Sequence, residues 1–220
     1  VTLNVDDSVA ISVGSSGGDD QARIVAESIG IRANRLTAYA SQAVSANNRV
    51  TGDVSVDVTN ASLVSGDTLL SAADEASLSA ISPGLEINLD DLNAPLSIDA
   101  AIASNRITSN VRASVTGGTI STSSQGEFEI SSTRDLEVQA DSGSNTLVSS
   151  TIPYPNLHSI TAAGTYARNL VEGSLVASLA DSAADQLLGG LTIEAVDKSL
   201  LDARSDTSAV MQSDSFALAA

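Results

Sequence analysis

Few residues in this sequence could do chemistry. His158, the single histidine, sits in the run Pro153-Tyr154-Pro155-Asn156-Leu157-His158, and there is no Cys to serve as nucleophile or thiolate ligand. Acid–base and nucleophilic catalysis both need a base held within hydrogen-bond reach of a second reacting group. A histidine in a proline-rich turn has no such partner at a readable spacing, so it reads as a loop residue. Paired carboxylates occur at Asp6-Asp7, Asp19-Asp20 and Asp90-Asp91. Neighbouring residues of a strand point to opposite faces, so only pairs in loops can converge on one ligand. Hard carboxylate oxygens suit calcium. The calcium candidates are therefore Asp19 and Asp20, in Gly17-Gly18-Asp19-Asp20, and Asp90 and Asp91, in Leu89-Asp90-Asp91-Leu92-Asn93. Neither run has the spacing of an EF-hand loop or of the Gly-Gly-x-Gly-x-Asp repeat. Phosphate-loop and dinucleotide fingerprints are absent. The expectation is a protein that is not an enzyme. The alternative is a carbohydrate-binding or carbohydrate-cleaving β-helix that would use these acids, against which stands the scarcity of aromatic rings for sugar stacking.

The elements that would position such residues must be built from unusual material. Apolar residues are 42% of the chain but aromatics only 2%, so the core is made of Val, Ile, Leu and Ala. Small aliphatic side chains suit thin, regularly stacked layers better than a globule that draws its buried area from large rings. A net charge of −17 repels nucleic acid and anionic lipid. The lack of Cys removes disulfide staples and fits large bacterial surface proteins better than small disulfide-rich secreted domains. No apolar run reaches the roughly 18 residues of a membrane span. Val1 enters directly on an alternating segment and Phe216 to Ala220 carries no turn, which reads as an internal stretch of something longer.

Self-similarity is the strongest signal. An early segment opens with Asn and then alternates: Asn48-Arg49-Val50 leads to Val54, Val56 and Val58; Asn105-Arg106-Ile107 to Val111, Ala113 and Val115; Asn169-Leu170-Val171 to Leu175, Ala177 and Leu179. A late alternating segment reads Leu3, Val5, Val9, Ile11, Val13; then Leu70, Ala72, Ala76, Leu78, Ala80; then Phe128, Ile130, Leu136, Val138; then Ile193, Ala195, Leu201, Ala203. Its apolar face is interrupted at Asp7, Asp74, Ser132 and Asp197. Glycine-centred turns lie between early and late segments, at Ser65-Gly66-Asp67, at Gly117-Gly118 with Gly126, and at Gly189-Gly190, with Thr119 to Thr122 as a short middle strand. Leu69 to Ile81 and Ala167 to Leu188 also suit helices. Their counterparts alternate strictly with Val and Ile, and stacked repeats share one conformation, so they are read as strands. Gln21 to Asn47 is left open between strand and helix. Arg49 and Arg106 recur after the Asn and read as a solvated face beside acidic neighbours.

Alternating strands bury one face and need neighbours to cover it. The expected fold is all-β, a β-solenoid or elongated stacked-sheet repeat array with units of about 60 residues. The expected units are 1–47, a partial first repeat and connection; 48–104; 105–168, with a Pro-containing insertion; and 169–220, a truncated repeat. The run from Asn169 through Val176-Ala177-Ser178-Leu179 to Gly189-Gly190-Leu191-Thr192-Ile193-Glu194-Ala195 and Asp197-Lys198-Ser199 resembles the repeat of giant leukotoxin-like filamentous adhesins and related bacterial surface proteins. The connecting segments Ser82 to Ser104 and Asp141 to Tyr166 depart from that pattern by carrying Pro83, Pro95, Pro153 and Pro155. The resemblance implies secretion to the cell surface, a filamentous shape and a role in attachment, matrix or surface coating. The partners it implies are further copies or repeats stacked end to end, with glycans or other surface proteins as ligands.

Overall fold

The computed structural model describes residues 2–6, 9–14, 22–25, 28–42, 45–83, 85–89, 96–122, 126–148, 160–211 and 216–219. Among these there is no helix. Seventeen strands, numbered in chain order, fall into three sheets. The first sheet holds β1 (Thr2–Asp6), β5 (Ser45–Thr51), β9 (Leu96–Thr108), β12 (Ile160–Glu172) and β17 (Phe216–Ala219) side by side, with β8 (Leu85–Leu89) also on β9. The second holds β2 (Val9–Gly14), β6 (Val54–Ser65), β10 (Val111–Thr122) and β13 (Leu175–Ala180), with β3 (Ala22–Val25) on β6 and β14 (Ala183–Gln186) on β10. The third holds β4 (Ser28–Gln42), β7 (Asp67–Ser82), β11 (Phe128–Val148) and β15 (Leu191–Asp197), with β16 (Leu200–Met211) on β11.

The chain visits the three sheets in the same order on each pass, and each strand pairs parallel with the strand of the previous pass. The exception is β8, which runs antiparallel along the start of β9. Asn48 stands opposite Asn105, 57 residues on, and Asn105 opposite Asn169, 64 residues on. In the third sheet Arg134 and Asp197, 63 residues apart, share a row. The architecture is all-β with parallel sheets, consistent with a β-helix or solenoid-like fold.

The interior shrinks in side-chain size along the first and third sheets. Between the second and third sheets lie Val54, Val56, Val58, Leu63, Leu70, Val111, Ile120, Phe128 and Ile130. Next come Val50 and Ile107 of the first sheet against Leu78, Leu136 and Val138 of the third. Farther along only Ala46, Ala80, Ala103 and Ala140 meet, so the two sheets are separated by methyl groups alone. Such a narrowing section has room for few rings, which accounts for the 2% aromatic content. Beyond these four alanines the buried residues are Ala101 and Ala163 together with polar side chains, Ser82, Ser142, Ser144 and Asp99.

The second sheet carries a bend that glycine makes possible. Asn60, Gly117 and Asp181 follow matched rows of β6, β10 and β13, and all three are left-handed, at φ 48°, 70° and 53°. Asn and Asp tolerate that region better than most residues. The next position in β10, Gly118, has φ 87°, and a Cβ there would lie 2.1 Å from the Ala61 carbonyl oxygen.

Several sequence expectations are corrected. The early segment is two strands: Asn48 and Val50 belong to the first sheet, and Val54 to Val58 to the second, across a corner at Gly52-Asp53. Leu3 to Val13 is not a late segment, because Leu3 and Val5 pair with Asn48 and Val50 in the first sheet and Val9 to Val13 pair with Val54 to Val58. The late counterpart in that pass is β4, within the stretch left open, and it is a strand. Leu70 stands opposite Ile130, so the third late copy is shifted two residues from its expected alignment and Arg134, not Ser132, faces Asp74. Gly117-Gly118 bends β10 from within, and Thr119 to Thr122 completes that strand. The segments Leu69 to Ile81 and Ala167 to Ala180 are extended, as read.

Candidate functional site

The functional feature this architecture offers is a set of residue ladders running along the stack. In the first sheet, Asn48 and Asn105 are buried at 2% and 1% exposure. Asn48 Nδ2 donates to Asn105 Oδ1 at 2.9 Å, and Asn105 Nδ2 donates to Asn169 Oδ1 at 2.9 Å. The remaining amide protons cross to carbonyl oxygens of the third sheet: Ser79 at 2.8 Å from Asn48, Gln139 at 2.6 Å from Asn105, and Val138 at 2.9 Å from Asn169, which also donates to the Asp202 oxygen. A carboxamide with two donors and an acceptor suits this position because it bonds both along the stack and across it. At the opening of the ladder, Asn48 Oδ1 is buried and unpartnered; Leu3 stands in the neighbouring row.

The corner between the first and second sheets is tied in the same direction. Asp53 Oδ1 accepts from the Asn110 N–H and from Asn110 Nδ2, each at 3.0 Å. Asn110 Oδ1 in turn accepts from the Ser174 N–H at 3.0 Å and its hydroxyl at 2.9 Å. A short side chain with an oxygen at this position caps the corner of the next pass.

A third ladder, one row of the third sheet, alternates in sign. The row reads Arg35, Asp74, Arg134, Asp197. Arg134 is 5% exposed and its guanidinium donates to the Ser109 oxygen at 2.8 Å, the Ser174 oxygen at 3.1 Å and Asp197 Oδ2 at 3.3 Å. Asp74 is fully buried and accepts from the Ser109 hydroxyl at 2.6 Å. The planar fork of arginine is what lets one side chain hold two corner carbonyls and a carboxylate. Burial acts to raise the Asp197 carboxyl, but hydrogen bonds from the Ser199 hydroxyl and N–H, with the Arg134 guanidinium, outweigh it and hold the group below the ordinary aspartate value.

Among the described residues the three ladders reach Asn169 in β12, Ser174 just before β13 and Asp197 in β15. Leu191, Ile193 and Leu201 are 45%, 44% and 46% exposed, whereas Phe128, Ile130 and Val138, opposite them one pass earlier, are at most 1% exposed. The difference is coverage: the same interior positions are sealed when another strand row lies over them.

The outer faces carry ion pairs. Arg106 Nη2 meets Glu172 Oε2 at 2.6 Å in the open, and Arg112 Nη2 meets Asp57 Oδ2 at 2.7 Å. Arg49 is exposed in register with Arg106, so the expected solvated arginine row is present. The Asp57 carboxyl is raised by burial but lowered further by Arg112 and by hydrogen bonds from Ser114 and Ser55, with a net fall.

The calcium candidates Asp19, Asp20, Asp90 and Asp91, and also His158, lie outside the described residues. Among the described residues no three His, Cys, Asp or Glu side chains gather as a metal site would require, and no helix is long and apolar enough to cross a membrane. Arg134 was not singled out from the sequence. Its signal was an arginine on the buried parity of an alternating strand, where a charge must be paired. Family models, curated proteins and solved structures, compared with this chain, give no match.

Proposed function

We propose that this chain is a structural segment of a secreted filamentous or cell-surface protein, folded as a β-solenoid with one coil per ~60 residues, and that it has no catalytic role. The observation that carries this reading is the Asn48–Asn105–Asn169 ladder. Its three residues are 57 and 64 positions apart yet hydrogen-bonded to one another in a single row. A row of that kind adds nothing to a reaction centre. It does tie each coil to the next, because Asn48 and Asn105 each donate one amide N–H to the amide oxygen of the following row.

The other features agree. The polar side chains described inside the stack bond along it or across it, and the −17 charge keeps an elongated surface solvated. Resemblance of the Asn169 to Ser199 run to filamentous bacterial adhesins supports placement outside the cell, in attachment, matrix or surface coating. Negative-stain microscopy tests the reading: elongated rods or fibres are expected, with fibre diffraction showing an axial repeat of ~4.8 Å. Compact round particles without that repeat would contradict it.

A further inference from the structure

The first and third sheets meet interior to interior through Val50, Ile107, Leu78 and Leu136, so their outer faces look to opposite sides of the molecule. The two faces carry opposite charge. On the first sheet Arg49, Arg106 and Arg168 are exposed, three of the ten Lys and Arg in a chain of net charge −17. Arg106 is paired with Glu172, and among the described residues no ion pair reaches Arg49 or Arg168. On the third sheet the outward positions of β7 and β11 carry Glu75, Glu129, Asp135, Glu137 and Asp141 and no base. Among the described residues, bases enter that face only in the flanking passes, at Arg32, Lys198 and Arg204. These are side faces of the stack: β5, β9, β12, β7 and β11 each have a neighbouring strand on either hand.

Each face sets like charges together. Arg49 stands opposite Arg106, and Glu75 opposite Asp135. Like charges on neighbouring strands repel, and a facing row of the other sign at the same spacing relieves both. A second copy of this chain is an occupant with that spacing, because the strands of both sheets belong to the same passes and lie ~4.8 Å apart in each. We propose that the basic outer face of the first sheet binds the acidic outer face of the third sheet of a second copy, side by side. The inference rests on the structural reading above, to which it adds a lateral partner.

Exposed apolar side chains accompany the charges on both faces. Tyr166 and Ile102 share a row beside the arginines, and Ile81 shares the row of Asp141. Aromatic and arginine side chains together are the composition that protein interfaces favour. Because the faces look in opposite directions, a copy that gives its basic face to one neighbour still offers its acidic face to another. The contact is therefore heterologous and propagates sideways as a raft. Rows of exposed charge also make it sensitive to salt.

Charge reversal tests the pairing. Arg49→Glu with Arg168→Glu leaves both faces acidic, and Glu75→Arg with Asp135→Arg and Glu137→Arg leaves both basic. In sedimentation velocity the wild-type chain is expected to associate with rising concentration at about 0.1 M salt and to dissociate at about 1 M. Each variant alone should associate at least about tenfold more weakly, since like charges then face each other. An equimolar mixture of the two should regain the wild-type association, with circular dichroism verifying that the strands persist in each. Rods that stay single in the microscope, with both variants sedimenting like the wild type, overturn this contact and leave the structural reading standing. Compact particles that never associate overturn both. Weak association of both variants without recovery in the mixture overturns the pairing of copies. Binding of polygalacturonate by the wild type and not by the arginine variant, again without recovery in the mixture, overturns it too and assigns the arginine face to acidic glycans.

Discussion

Asn105 donates twice and accepts once inside the stack, so truncating it strands partners on three sides. A buried group left without a hydrogen bond costs about 1–3 kcal/mol. Asn105→Ala should therefore lower unfolding free energy by at least about 3 kcal/mol in urea titration. Arg134 is a sharper case, because its removal leaves two corner carbonyls and the Asp197 carboxylate without their common donor. Arg134→Met is expected to cost roughly 3–5 kcal/mol, and Arg134→Lys to recover only part, since an ammonium cannot span the same fork. The pH dependence follows from Asp57 and Asp197, whose folded values lie below the ordinary one. Groups depressed in the folded state contribute stability above the unfolded value, and that contribution disappears as pH falls through the folded value. Melting temperature should thus decline below about pH 4, and Asp57→Asn should make that decline shallower.

At the scale of elements, period-2 alternation identified strands and the buried parity of most of them, including segments with helical composition. It could not locate the first corner. Val50 and Val54 keep the same parity across Gly52-Asp53, so the hydrophobic pattern runs through the bend without interruption. Nor could it set register, because a two-residue slip preserves parity, and this is how Ser132 was matched to Asp74 where Arg134 stands. Leu3 to Val13 was misplaced for the same reason: it alternates, and alternation does not say in which sheet. The recurrence of Asn on an otherwise apolar strand face did mark the ladder, though its hydrogen-bonded reach to the third sheet depends on how closely the sheets approach. The candidate cation sites drew on acids in loops, which periodicity does not position. The bend in β10 supplies a test at this scale. Gly118→Ala must hold a left-handed residue against the Ala61 carbonyl, and a loss of at least about 2 kcal/mol is expected in thermal or urea unfolding.

For the molecule as a whole, stability and shape come from one arrangement, in which successive passes lie parallel and in register so that like positions stack. A spin-label measurement on the monomeric chain reads that arrangement directly. Arg49 and Arg106 are exposed and share a row of the first sheet, whereas Arg112 lies in the second. Labels on cysteines replacing Arg49 and Arg106 should sit on strands ~4.8 Å apart and show strong dipolar and exchange broadening, with labels at 49 and 112 giving a narrower spectrum. Sharp, non-interacting lines from the 49 and 106 pair in folded protein would contradict the stacked register on which every ladder depends.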